Sequence, residues 1–281
     1  QFCLPAFSIQ VASLVTRMQN ICAKKVVLGI SGGLDSTLAL LVVAKSFDVM
    51  GLDRNGIVAV TMPGFGTTDR TYNNALELMK CLGTDVREIS IANACLAHFS
   101  DIGHNPEIKD VVFENSQARE RTQILMDLAN KENALVIGTG DMSELALGWC
   151  TYNGDQMSMY GVNAGVPKTM VRRIVEYLAE SEDFVAARSY LIDVVATPVS
   201  PELLPADNNG NINQKTENLV GPYELHDFFI YHLLKNGFAP QKVLYLAKYA
   251  FSGQYNEDTI SKCPTHGTRA ARTCDKDGFV S

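Results

Sequence analysis

The chain has 281 residues, 46% of them hydrophobic, and a formal net charge of -7, enough to bury one large core and in keeping with a single α/β domain. The acidic balance argues against a nucleic-acid footprint and leaves small anionic ligands to be caught by local geometry. No apolar run approaches the ~20 residues of a membrane span, no signal peptide is legible, and the seven cysteines include no C-x-x-C pair that would suggest a zinc site or a disulfide framework.

These features predict a cytoplasmic protein without a membrane or nucleic-acid partner. The chain opens on Gln1 rather than methionine, as expected of a piece of a longer protein.

The first strand is predicted over residues 26–30, and it runs directly into Gly29-Ile-Ser-Gly-Gly-Leu-Asp-Ser36 and a helix over 36–45. Glycines 29, 32 and 33 permit a tight turn, and the N–H groups at the start of the helix then face an anion that the helix dipole also favours. No lysine follows the glycines, so the loop is neither a Walker sequence nor a G-x-G-x-x-G dinucleotide fingerprint. Asp35 stands where that lysine would be, and a carboxylate beside polyphosphate makes physical sense when a hard cation such as Mg²⁺ bridges the two.

Further strands are predicted over 57–62, 86–91 and 134–138, alternating with helices over 69–82 and 115–130. This order predicts an α/β fold with a doubly wound, Rossmann-like parallel sheet and active loops at the carboxyl ends of its strands. The fourth strand leads into Gly138-Thr-Gly-Asp-Met-Ser-Glu144, where Asp141 and Glu144 are three apart and share one helix face. An acidic pair at a helix start is more often a cap than a ligand set.

Beyond Gly165 only helices follow, over 167–180, 186–194, 223–235 and 240–250, so the C-terminal part is helical. Residues 206–216 are polar and turn-rich, which fits a mobile loop or a lid, and 261–281 reads as a loosely ordered tail.

S-G-G-x-D-S after a strand resembles the motif of the ATP pyrophosphatases, which cut ATP between its α and β phosphates. Five further blocks, at 114–121 (E-N-S-Q-A-R-E-R), 138–144, 148–157 (G-W-C-T-Y-N-G-D-Q-M), 166–169 (V-P-K-T) and 198–205 (P-V-S-P-E-L-L-P), are similar to the synthetase domain of glutamine-dependent NAD synthetases. That resemblance implies the adenine nucleotide alpha hydrolase type of fold across 1–281. It also implies ATP-dependent amidation of nicotinic acid adenine dinucleotide to NAD through an acyl adenylate, with ammonia as nitrogen donor.

It further implies Mg²⁺ held by Asp35 and Glu144, and ATP contacts from Gly29, Ile30, Ser31, Gly32, Gly33, Leu34, Asp35, Ser36, Thr139, Lys168 and Ser200. The dinucleotide falls to Asn115, Arg119, Glu144, Trp149 and Tyr152, and Asp155 is the candidate base for the ammonia step beside Asp35 and Lys168 as catalytic groups. A homodimer or larger homo-oligomer and a glutaminase domain in a longer chain complete the implied picture. A GMP synthetase-like amidotransferase and a non-catalytic nucleotide-binding module remain the alternatives.

Overall fold

The computed structural model describes residues 2–197, 217 and 220–263. Five parallel strands, β1 (Val26–Gly29), β2 (Ile57–Thr61), β3 (Asp85–Glu88), β4 (Leu135–Gly138) and β5 (Tyr160–Gly161), form one sheet in the order β3-β2-β1-β4-β5. Chain order reverses between β1 and β4. In sheets of this kind that switch point opens a crevice at the carboxyl ends of the two strands, and both glycine-rich loops leave from there.

Side chains alternate across the strands. Val26, Leu28, Ile57, Ala59, Leu135 and Ile137 join the core on one face, and Val27, Val58, Val60 and Val136 join the core on the other. The first face is covered by α1 (Cys3–Asn20), α2 (Leu34–Met50), α3 (Asp69–Cys81), α7 (Lys168–Ala179) and α8 (Arg188–Ala196), the second by α4 (Ala92–Asp101) and α5 (Val111–Glu132). Between β4 and β5 lies the short helix α6 (Met142–Leu147), and α9 (Tyr223–Ile230) and α10 (Pro240–Ala250) enclose a smaller core with Phe251, Ile260 and Cys263.

Helix α2 is buried on nearly every side from Leu34 to Phe47, as its all-round apolar sequence requires. It stops at Gly51, whose φ of 65° is a left-handed cap. Among the described residues no helix is long and apolar enough to cross a membrane.

Several predicted bounds shift. The third strand ends at Glu88, although the Ile89 and Ile91 N–H groups still donate to Thr61 and Pro63 carbonyls. The helix predicted over 223–235 is α-helical only to Ile230 and closes in a π turn, Tyr231–Lys235. Helices α1 and α4 and the two-residue β5 have no counterpart among the predicted elements. The predicted loop at 206–216, and the tail from 264 onward, lie outside the described residues.

One clamp joins the sheet to α5: Lys25 Nζ and Arg87 Nη2 donate to Glu132, at 2.8 and 2.7 Å. These bonds, Lys25 first, hold the Glu132 carboxyl at about 2 against an ordinary 4.5. A depressed carboxylate stabilises the fold fully above its unfolded pKa and loses that contribution as pH falls through the folded value. Acid unfolding of the native chain should therefore steepen below pH 4.5, and Glu132→Gln should flatten that limb when circular dichroism is followed against pH. Phe47→Ala, at a fully buried position, should lower the unfolding free energy by about 3–5 kcal/mol in urea melts with an unchanged denaturant slope.

Candidate active site

The loop after β1 is shaped by steric necessity. Gly32 has a φ of 85°, and a Cβ there would lie 2.2 Å from the Thr71 carbonyl oxygen, so only glycine fits. The loop's hydroxyls close on its own backbone: Ser31 N–H donates to Ser36 Oγ at 3.3 Å, Gly33 N–H to Ser31 Oγ at 3.2 Å, and Ser36 Oγ to the Gly33 carbonyl at 3.1 Å. Gly33 caps α2 through its backbone without a side-chain hydrogen bond. These are the donors an incoming phosphate would recruit.

Across the crevice, Asp141 caps α6. Its Oδ1 accepts the N–H groups of Ser143 and Glu144 at 2.7 and 2.9 Å, which directs Oδ2 toward Lys168, the first residue of α7. The Lys168 ammonium is 2.6 Å from Asp35 Oδ2, 2.7 Å from Asp141 Oδ2 and 2.8 Å from Glu144 Oε1.

This lysine is only 3% exposed. Burial works to lower its pKa, but Asp35, Glu144 and Asp141 together overcome that cost and raise it well above the lysine range. Burial, reinforced by the Glu144 charge and only partly offset by Lys168, pushes Asp141 up to about 8. Glu144 is raised mainly by burial, with Lys168 opposing and Asp35 reinforcing.

Three carboxylates against one ammonium leave a formal charge of -2 when all are ionised, which a divalent cation would balance. The donor set suits one. One oxygen from each of Asp35, Asp141 and Glu144 lies within 4.8 Å of the others, and Asp35 Oδ1 is buried without a hydrogen-bond partner. Hard carboxylate oxygens are what Mg²⁺ selects.

The two loops are tied together by Asn163, which is fully buried. Its Nδ2 donates to the Asp35 and Thr139 carbonyls, each at 2.9 Å, and its Oδ1 accepts Gln10 Nε2 of α1 at 3.0 Å. A cleft of about 230 Å³ opens at this point.

Of the residues predicted for ATP, Gly29, Ile30, Ser31, Gly33, Leu34, Asp35, Ser36 and Thr139 line the cleft, with Glu144 and Asp155. Gly32 shapes the loop, Lys168 lies beneath it, and Ser200 is outside the described residues. Of the residues predicted for the dinucleotide, Glu144 lines the cleft, whereas Asn115, Arg119, Trp149 and Tyr152 are not in its wall. Asn115 is buried and accepts the Thr151 hydroxyl at 2.7 Å, and Arg119 Nε donates to the Tyr152 carbonyl at 3.2 Å.

Tyr152 is 73% exposed. Trp149 packs half-buried against Leu147, Val220 and Tyr223. Asp155 Oδ2 is 3.6 Å from the Arg121 guanidinium, and both line the cleft.

Sequence reasoning did not place Asp141 among the candidate metal ligands, nor assign Asn163 or Gln10 any role. Asp141 carried a signal in its D-x-S-E context, which reads as a cap and conceals the second duty of its other oxygen. Asn163 and Gln10 carried none.

The NAD synthase family profile matches residues 7–242. The chain is 45% identical over 258 residues to a glutamine-dependent NAD(+) synthetase of Mycobacterium leprae and 42% identical to that of Mycobacterium tuberculosis, covering 90% of this chain and 38% of each relative. It thus spans well under half the length of these relatives. Among solved structures, a glutamine-dependent NAD(+) synthetase from Cytophaga hutchinsonii superimposes with a TM-score of 0.74 at 18% identity, over 96% of this chain and 48% of that one. An NMN synthetase from Francisella tularensis superimposes with a TM-score of 0.70 at 21% identity, over 99% of this chain and 97% of that one. Both share the fold.

Removing the central cation should leave the carboxylates to repel one another. Lys168→Met is expected to cost about 3 kcal/mol in chelator-treated protein, the lower end for breaking a buried ion pair because Asp35 and Glu144 keep some solvent contact. Thermal melts should then show MgCl₂ raising the midpoint of the variant more than that of the parent chain.

Proposed function

The chain belongs to the NAD synthase family, and we propose that it uses ATP to amidate nicotinic acid adenine dinucleotide to NAD, releasing AMP and pyrophosphate. The observation that carries this reading is Lys168 buried among Asp35, Asp141 and Glu144 at the sheet's switch point, bonded to the aspartate that ends the glycine loop. A binding module has little need for so costly a charge cluster. A ligase that expels pyrophosphate does.

The loop from Gly29 to Ser36 holds the ATP phosphates through its backbone N–H groups and the hydroxyls of Ser31 and Ser36. Thr139 and Ser200 contact the same nucleotide. Asn115, Arg119, Glu144, Trp149 and Tyr152 hold the dinucleotide, whose carboxylate oxygen attacks the α-phosphorus. The bond to the β-phosphate oxygen breaks, and Lys168 stabilises the charge that gathers on the departing pyrophosphate. Asp35 and Glu144, joined by Asp141, would hold Mg²⁺, which supplies further charge neutralisation to the phosphates.

Ammonia then attacks the acyl carbon of the adenylate, AMP leaves, and the proton shed by the nitrogen passes to a base. Asp155, at the cleft wall with its side chain half-exposed, takes that role. In the longer protein a glutaminase domain supplies the ammonia, and two copies of the chain associate in the cytoplasm.

Incubation with ATP, Mg²⁺, nicotinic acid adenine dinucleotide and ammonium chloride should yield AMP and NAD in equal amounts. Asp35→Ala should reduce both by about 10²-fold or more. Asp155→Asn should depress NAD formation at saturating ammonia while adenylation, read as ATP–pyrophosphate exchange, persists. Exchange supported by nicotinic acid mononucleotide or xanthosine monophosphate instead would assign another acceptor, and nucleotide binding without AMP would sink the ligase reading.

A further inference from the structure

Helix α7 begins at Lys168 after Pro167, which gives it no side-chain cap. Its first N–H groups are satisfied from two other helices. Lys168 N–H donates to Ser143 Oγ of α6 at 2.9 Å, and Thr169 N–H donates to Asp227 Oδ2 of α9 at 2.9 Å. The same Asp227 oxygen accepts the Thr169 hydroxyl at 2.6 Å, and its other oxygen accepts the Ser143 hydroxyl. Ser143 N–H in turn donates to Asp141 Oδ1.

This arrangement leaves Ser143 no freedom. Its hydroxyl proton is committed to Asp227, so a lone pair must face the Lys168 N–H, while its own N–H is pinned by Asp141. Asp227 is 8% exposed and both of its oxygens are engaged, so it is not free to meet a substrate. One turn earlier on α9, the Tyr223 ring faces the Lys168 ammonium, 5.3 Å from its centroid.

We propose that Asp227 is a positioning residue for the pyrophosphate site: through Ser143 and the start of α7 it fixes Lys168 among Asp35, Asp141 and Glu144. Helix α9, beyond the βα alternation, is then a working part of the site. The inference rests on the function proposed above, in which Lys168 meets pyrophosphate. Without the Asp227 carboxylate, two hydroxyls and one N–H lose a buried acceptor, and the origin of α7 shifts to find new ones. A displacement of about 1 Å at a charge-stabilising group is enough to cost up to 10²-fold in rate.

The test is a double-mutant cycle between Asp227→Ala and Lys168→Met, read by calorimetric titration with Mg²⁺ and inorganic pyrophosphate, with circular dichroism confirming that each protein is folded. Asp227→Ala is expected to weaken pyrophosphate binding about tenfold and to add nothing in the Lys168→Met background. In kinetics the same variant should lower kcat with little change in KM for the dinucleotide. Ser143→Ala should reproduce both effects.

Equal weakening in both backgrounds, no weakening, or no pyrophosphate binding by the unaltered chain would overturn the proposal. If Asp227→Ala does not fold, Asp227→Asn replaces it in the cycle. A cycle that behaves as expected in a protein that makes no NAD would refute the proposed reaction and leave the positioning role standing.

Discussion

A buried ammonium held by three carboxylates is the constraint around which this molecule is built. Lys168 alone in that interior would be driven to neutrality by desolvation, and the carboxylates alone would repel one another. Each is tolerable only in the presence of the others, and they arrive from three separate stretches of chain: Asp35 from the first turn of α2, Asp141 and Glu144 from the cap and first turn of α6, and Lys168 from the head of α7. The strand order that sets β1 beside β4 is therefore also what brings the opposing charges together. Asn163 maintains the spacing by bridging the carbonyls of both loops.

The same cluster places beside the glycine loop the lysine that the loop itself lacks. In Walker-type loops the neutralising charge is adjacent in sequence. In this chain it is delivered across the crevice, pre-paired with carboxylates, so its position is set by packing rather than by the loop. Burial and mutual repulsion also make Asp141 and Glu144 reluctant to ionise. A divalent cation bound there would relieve that repulsion.

Those parts of the fold that depend on local chemistry were legible in the sequence. The apolar run at 26–29 followed by S-G-G-L-D-S requires only neighbouring residues to declare a strand, a turn and a helix. Helix α10 begins at Pro240 and ends at Ala250 as its sequence predicts, because proline marks a first helical position. Helix α1 was also there to be read, in the spacing of Phe7, Val11, Leu14 and Met18. Two residues of β5 are too few to show a period.

What the sequence could not display is convergence. Asn163 looks like a loop asparagine until Gln10, Asp35 and Thr139 are seen around it, and Asp227 looks like one acid on an amphipathic helix until Ser143 and Thr169 are seen beneath it. Trp149, assigned to the dinucleotide by resemblance, also packs against Leu147, Val220 and Tyr223, contacts that no local pattern in the sequence announces.

The bond from Lys168 to Asp35 spans 133 positions of the chain. Closing a loop of that length costs conformational entropy that grows only as the logarithm of its length, yet the contact cannot form until everything between has emerged and found its place. A partly synthesised polypeptide ending before α7 has the glycine loop and its aspartate but not the ammonium that pairs with it. A ligand captured by the complete cluster would be bound to the whole fold rather than to one loop, and its occupancy would stabilise distant strands as much as near ones. The assembled charge cluster thereby doubles as a proofreader of its own scaffold.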